Sequence, residues 1–406
     1  MSRILPPLRR DVELIPIKHQ GQDMLLVRDR LGLVPEGMAL RPESFSLLSL
    51  LQEPREAAEL AEEMARLAGG REIKEQEIES VVDQLDAAWL LDSDKLREQR
   101  DQIEAAYADL DAREPALAGS AYPEEPDEAS SLLHRIMALA SPVDRRAGRL
   151  AGLVAPHIDL AAGERVYAQA YRRLAPEEPP DRVIILGVGH HLAEALFSIT
   201  CKDFKTPLGI VRNDRDASRA LQEAAGSLGA GNDFEHKFEH SIEFQTLFLR
   251  HLYGESTPPA APVLCGSAAL LPEYGRQAFL DTAGPFLEVL SAMAADPDRR
   301  TLVLAGVDLC HIGPKFGHQH PAQELAASAS KHDATLLERL AALDADGFWK
   351  ETARVQDAYN VCGLTALACL LEVMPKESQG EILGYEMWRE APTQSAVSFA
   401  AAAFSV

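Results

Sequence analysis

The chain has 406 residues, with 63 acidic against 40 basic side chains, a formal net charge of -23 and 46% hydrophobic content. The acidity excludes a nucleic-acid binder built on a basic face and a protein adsorbed to anionic lipid, and the apolar share is enough for packed cores. Five cysteines without a C-x-x-C pair, no apolar run approaching about 18 residues and no apolar signal core at the N-terminus give a cytoplasmic, reducing location as the expectation.

Residues 11–20 (DVELIPIKHQ) and 23–30 (DMLLVRDR) alternate enough to predict a hairpin about the turn QGQD. PESFSLLSLL (42–51) reads as a short helix, and EPREAAELAEEMARLAG (53–69) as a second, stopped by glycine. KEQEIESVVDQLDAAWLL (74–91) reads as a third, with Ile78, Val81, Val82, Leu85 and Trp89 on one face. Strands followed by short helices predict a small winged-helix-like α+β domain over residues 1–92. This pattern resembles PqqD-like winged-helix domains, and the resemblance implies a peptide or protein partner. A plain structural appendage is the competing reading. The charged, helix-prone stretch 93–114 predicts a solvated helical linker, and the proline-rich YPEEPDE (122–128) marks the entry to the next domain.

From 115 to 406 the pattern is α/β. RLAGLVA (149–155), DRVIILGV (181–188), APVLCGS (261–267) and TLVLAGV (301–307) are short apolar runs. Helical stretches such as AGERVYAQAYRRL (162–174) separate them, and EILGYEMW (381–388) and SAVSFAAAAFSV (395–406) add strands. This alternation predicts a mostly parallel or mixed sheet flanked by helices. Ligands of such sheets bind beyond the carboxyl ends of the strands. Those ends carry His157 and Asp159, then His190 and His191, then Asp308, Cys310 and His311; FEHKFEHSIEF (234–244) adds His236, His240 and Glu243 before a helix. Any one of these histidines is explained by a satisfied imidazole. Several converging on one cleft point to a metal or a functional pocket, because neutral imidazole is a nitrogen ligand near physiological pH. Cys201, Cys265 and Cys369 read as core fillers. Cys362, at the start of GLTALACLLEVM, is either a thiolate stabilised by a helix N-terminus or a small buried residue.

Seven motifs in order carry a resemblance: AGSAYP (118–123), LVAPHIDLAAGERVYAQAY (153–171), VIILGVGHH (183–191), FKTPLG (204–209), EHSIEFQ (239–245), GVDLCHIG (306–313) and NVCGLTALACLL (360–371). Together they resemble the Memo family, whose bacterial members are called AmmeMemoRadiSam system protein B. That fold is similar to class III extradiol dioxygenases, which are non-haem iron(II) enzymes. The resemblance implies that His157, His190 and Cys362 hold iron(II) or copper, with zinc equally suited on ligand chemistry. It places His240, Asp308 and His311 beside the open position as acid, base or hydrogen-bonding groups. His191, Asp159 and Glu243 would orient the ligands. It also implies a radical S-adenosylmethionine protein and an AMMECR-type protein as partners. Two local departures stand out: APHIDL where the family reads APHAGY, and GVGHH where it reads GPSHH. A metal-dependent redox enzyme is the first expectation. A metal-sequestering protein and a metal-free peptide-binding module are its rivals.

Overall fold

The structure, a computed structural model, describes residues 2–140 and 148–406. The chain forms two compact units, Met1–Asp109 and Leu110–Val406. Among the described residues no helix is long and apolar enough to cross a membrane.

The first unit is α+β. Strands Val12–His19 and Gln22–Asp29 pair antiparallel with His19 opposite Gln22. Gln20 and Gly21 make the turn, both at positive φ (51° and 81°), the primed geometry that matches strand twist. Ala39–Leu40 completes the sheet, and helices Phe45–Leu50, Ala57–Leu67 and Glu75–Ala87 cover it with a common core. The third helix buries Ile78, Val82 and Leu85. Val81, expected on that stripe, is 40% exposed, because three residues of helix leave it about 60° off Ile78. Trp89 lies beyond the helix end at φ 62°, its carbonyl accepting from Arg9 Nη1 at 2.8 Å. The buried Arg9 also pairs with Asp29 at 2.7 Å and Asp11 at 2.9 Å, tying hairpin to helix end. The stretch expected as a linker is divided between the units. Its helix, Asp94–Ala108, is capped by Ser93, buries Leu96 and Tyr107, and holds Asp11 through Arg100 at 2.8 Å. Its end, Ala112–Arg113, is a strand pairing with Asp203–Phe204 of the second unit.

The second unit is α/β with a mixed sheet. Leu150–Ala155, Thr301–Gly306, Arg182–Val188 and Ala260–Cys265 lie side by side in parallel. Phe197–Ile199 closes one edge antiparallel to Ala260–Cys265. On the other edge Ser395–Ser405 runs antiparallel to Leu150–Ala155 and itself pairs with Gln379–Glu390 and His311–Ile312. The apolar runs are continuous because both faces are covered. Ile184, Leu186, Val303 and Ala305 pack into one core, and Val183, Ile185, Leu302 and Leu304 into the other. Cys265 and Cys369 are buried fillers, whereas Cys201 is half-buried with Sγ 3.6 Å from Gln222 Oε1.

Candidate metal centre

The carboxyl ends of three adjacent parallel strands deliver the polar groups. His157 follows Leu150–Ala155, Asp308 follows Thr301–Gly306, and His190 follows Arg182–Val188. The helix His240–Tyr253 starts across these ends. It can seat there because Gly187 and Gly306 lack side chains: a Cβ at either would come within 2.6 Å of Ser241. Gln245, one turn along, donates to Pro156 O at 3.0 Å and fixes the turn that carries His157.

One ring nitrogen from each of His157, His190 and His240 lies within 4.8 Å of the other two. The His190 and His240 rings stack at 4.9 Å, and the His157 ring stands across both at 5.0 and 5.1 Å. Each Nδ1 already has an acceptor. His157 Nδ1 donates to Gly306 O at 2.9 Å, His190 Nδ1 to Glu239 at 3.0 Å, and His240 Nδ1 lies 3.2 Å from Glu239 Oε1. In a neutral ring that places the proton on Nδ1 and leaves Nε2 as the unprotonated nitrogen. Burial, together with the nearby His190 and His240, holds the His157 imidazole well below its ordinary value, so it stays neutral.

Glu239 is the acid that holds this arrangement. It caps the helix, accepting from His240 N and Ser241 N at 2.9 and 3.1 Å, and also takes His190 N at 3.2 Å. Burial would push its carboxyl up, but His190 and His240 hold it well below the usual carboxylate range. Asp308 holds the facing side. Its Oδ1 accepts from His157 N and Ile158 N at 3.0 and 3.3 Å, and its Oδ2 lies 3.8 Å from His157 Nε2. Burial pushes this carboxyl up to about 6. Cys362 Sγ lies 3.6 Å from His157 Nε2 and 3.6 Å from Asp308 O. Burial pushes the thiol well above its ordinary range, and Asp308 adds to the shift.

The structure therefore brings His157, His190, His240, Asp308 and Cys362 together. His240, expected beside the ligands, contributes its ring to the cluster itself. His311 lies alongside, its Nδ1 donating to Leu309 O at 3.0 Å and its ring 4.9 Å from Phe316; burial pushes it down to about 4. His191 is exposed at the turn and outside the cluster, and His236 is buried elsewhere, donating to Ser198 O at 3.0 Å. Glu243 orients no ligand. It pairs with buried Arg113, accepts from Tyr122 Oη, and takes Ala116 N and Leu117 N at 2.9 Å each. It fastens the 113–122 segment, because three residues into the helix its carboxylate faces that segment rather than the rings. Asp159 is exposed and caps Leu160–Tyr171, accepting from Ala161 N at 2.9 Å. Asp159→Ala is expected to cost about 1 kcal/mol, as a lost N-cap does, read from the denaturant midpoint. The metal content of the purified chain should not change; a loss of metal would return Asp159 to the ligand surroundings.

Glu239 is the residue that sequence reasoning missed. Its signal was present: a carboxylate directly before a histidine at a helix start is placed as an N-cap acceptor. A cavity of about 490 Å³, lined by Leu150, Arg173, Leu174, Tyr253, Arg300 and Leu302, opens at the amino ends of the strands, away from the histidines.

Residues 113–403 match the family of Memo-like proteins. A MEMO1 family protein of Aquifex aeolicus is 30% identical over 389 residues, spanning 94% of this chain and 96% of that protein. A MEMO1 family protein of Thermus thermophilus is 28% identical over 85% of this chain and 98% of its own length. One from Methanopyrus kandleri is 31% identical over 67% of this chain and 91% of its own. The first two alignments are longer than the second unit, so they reach into the first.

Proposed function

The chain belongs to the Memo-like protein family, and on that premise we propose that it binds one transition-metal ion among His157, His190 and His240 and uses it in redox chemistry. One observation carries this reading: a ring nitrogen of each of the three histidines lies within 4.8 Å of the other two, and each ring's Nδ1 has an acceptor beside it. A histidine that only packs has no need of that shared state, whereas a metal ligand does. Three imidazoles with a thiol at hand suit iron(II), copper(I) or zinc rather than magnesium or calcium. When bound, such an ion would supply Lewis acidity and, for iron or copper, one-electron chemistry. The chain's own residues do the rest. Glu239 orients two ligands, and Asp308 can hold or release a proton beside the cluster. His190 and His240 keep 29% and 35% of their side chains exposed, which leaves a face for a substrate. A radical S-adenosylmethionine protein and an AMMECR-type protein belong to this proposal as partners, carried by the family resemblance.

Purification without oxygen followed by elemental analysis of the full chain tests the reading. Stoichiometric iron or copper is expected. It should be lost in His157→Ala and His240→Ala with the far-ultraviolet circular dichroism unchanged, and kept in Cys362→Ser. Wild-type protein without a stoichiometric transition metal overturns the proposal.

A further inference from the structure

Cys362 lies outside any regular element, at the end of a stretch with costly backbone. Gln356, Asp357 and Asn360 are all left-handed (φ 49°, 55° and 50°), a conformation that non-glycine residues hold only when their surroundings enforce it. Four sets of hydrogen bonds do so here. Val361 N donates to Asp357 Oδ1 at 2.9 Å, His318 Nε2 to Ala358 O at 2.9 Å, and His311 N to Tyr359 O at 2.8 Å. Asn360 Nδ2 donates twice, to His311 O at 3.2 Å and to Phe316 O at 3.1 Å. The last pair matters most for the thiol. A single exposed amide two residues from Cys362 joins its stretch to the stretch that carries His311 and Phe316. Immediately beyond the cysteine, a Cβ at Gly363 would come within 2.5 Å of Val307 and 2.9 Å of Asp308 O, so the chain is pressed against the Asp308 turn.

We propose that Asn360 is a positioning residue. Its two donations hold the strained stretch in place and so set the Cys362 thiol against the histidine cluster as a fourth donor to the ion. The inference rests on the metal reading above for the ion, but the placement of the thiol is testable without it. The three histidines bring a ring nitrogen each within 4.8 Å of one another without Cys362. Asn360 therefore decides whether the thiol joins the ligands, not whether a metal binds.

Two variants separate the side chain from the backbone. Asn360→Asp keeps the shape and the tolerance of left-handed φ but sets acceptors against two carbonyls. Asn360→Gly frees the backbone and removes the amide. The full chain is loaded with cobalt(II) as a spectroscopic probe. Wild type should carry a near-ultraviolet thiolate-to-cobalt charge-transfer band that Cys362→Ser removes. Both Asn360 variants should keep their cobalt and lose most of the band. In metal-free protein, alkylation of Cys362 by iodoacetamide, followed by peptide mass, should speed up by about tenfold in both, the scale of one or two lost hydrogen bonds. An unchanged band with cobalt retained, or an unchanged alkylation rate, overturns the positioning role. If wild type takes up no cobalt, the metal reading fails and the alkylation rates decide the role of Asn360.

Discussion

Glu239→Gln is expected to weaken metal binding by about 10- to 100-fold, or about 1.4–2.8 kcal/mol, the range for losing a group that orients ligating histidines. The upper end is the more fitting, because one carboxylate serves two rings. It faces five donors: the backbone N–H of His190, His240 and Ser241, and Nδ1 of His190 and His240. A carboxylate is acceptor-only with about four lone-pair sites, whereas an amide offers one oxygen and turns two N–H donors toward the rest. The displaced imidazoles are then free to turn or to exchange tautomers. Chelator competition on the full chain measures the loss, and far-ultraviolet circular dichroism checks the fold. An unchanged dissociation constant would mean that the histidines are oriented by packing.

Glu243→Ala, four residues along the same helix, should act on stability instead. It is expected to cost about 3–5 kcal/mol, the penalty for breaking a buried ion pair by removing one partner. Arg113 and Glu243 are 0% and 1% exposed, so the guanidinium would stay behind without its counter-charge. Two backbone amides and Tyr122 Oη would also lose their acceptor. Arg113 would keep His236 O at 2.8 Å and Glu239 O at 2.9 Å. Its charge therefore remains, held only by carbonyls. Urea unfolding measures the cost, and the double variant Arg113→Met with Glu243→Leu should recover much of it. A change below about 1 kcal/mol would show that water reaches the pair, as at a surface bridge.

These two acids explain what could be read from the sequence and what could not. The strands were legible because burial on both faces writes continuous apolar runs, as in Val183–Leu186. The polar residues just after them were legible for the same reason: a run that stops at a histidine marks a strand end. The motif EHSIE, however, holds two carboxylates at the start of one helix. Only the cap geometry decides that Glu239 faces the rings and Glu243 faces Arg113. His240 was expected beside the ligands and its ring stands in the cluster itself, since a residue's part in the cluster depends on where the helix crosses the sheet. That crossing is permitted by Gly187 and Gly306, whose meaning appears only when Ser241 is beside them. Cys362 kept two readings in the sequence. Its half-buried thiol beside His157 depends on a left-handed stretch that no periodicity announces.

The turn that carries Asp308 is zipped to the strand Ser395–Ser405. Leu309 N donates to Ser398 O at 2.8 Å, Ser398 N to Cys310 O at 2.9 Å, and Cys310 N to Ser398 Oγ at 2.9 Å. The same strand flanks Leu150–Ala155, from which His157 emerges. The pocket is thus assembled from pieces far apart in the chain. Such distant pairings form late, once loop closure has been overcome. On the metal reading proposed above, the ion would enter a domain that its own hydrogen bonds have already closed. Cells starved of metal should accumulate folded, metal-free protein that later supply can fill, rather than misfolded chain.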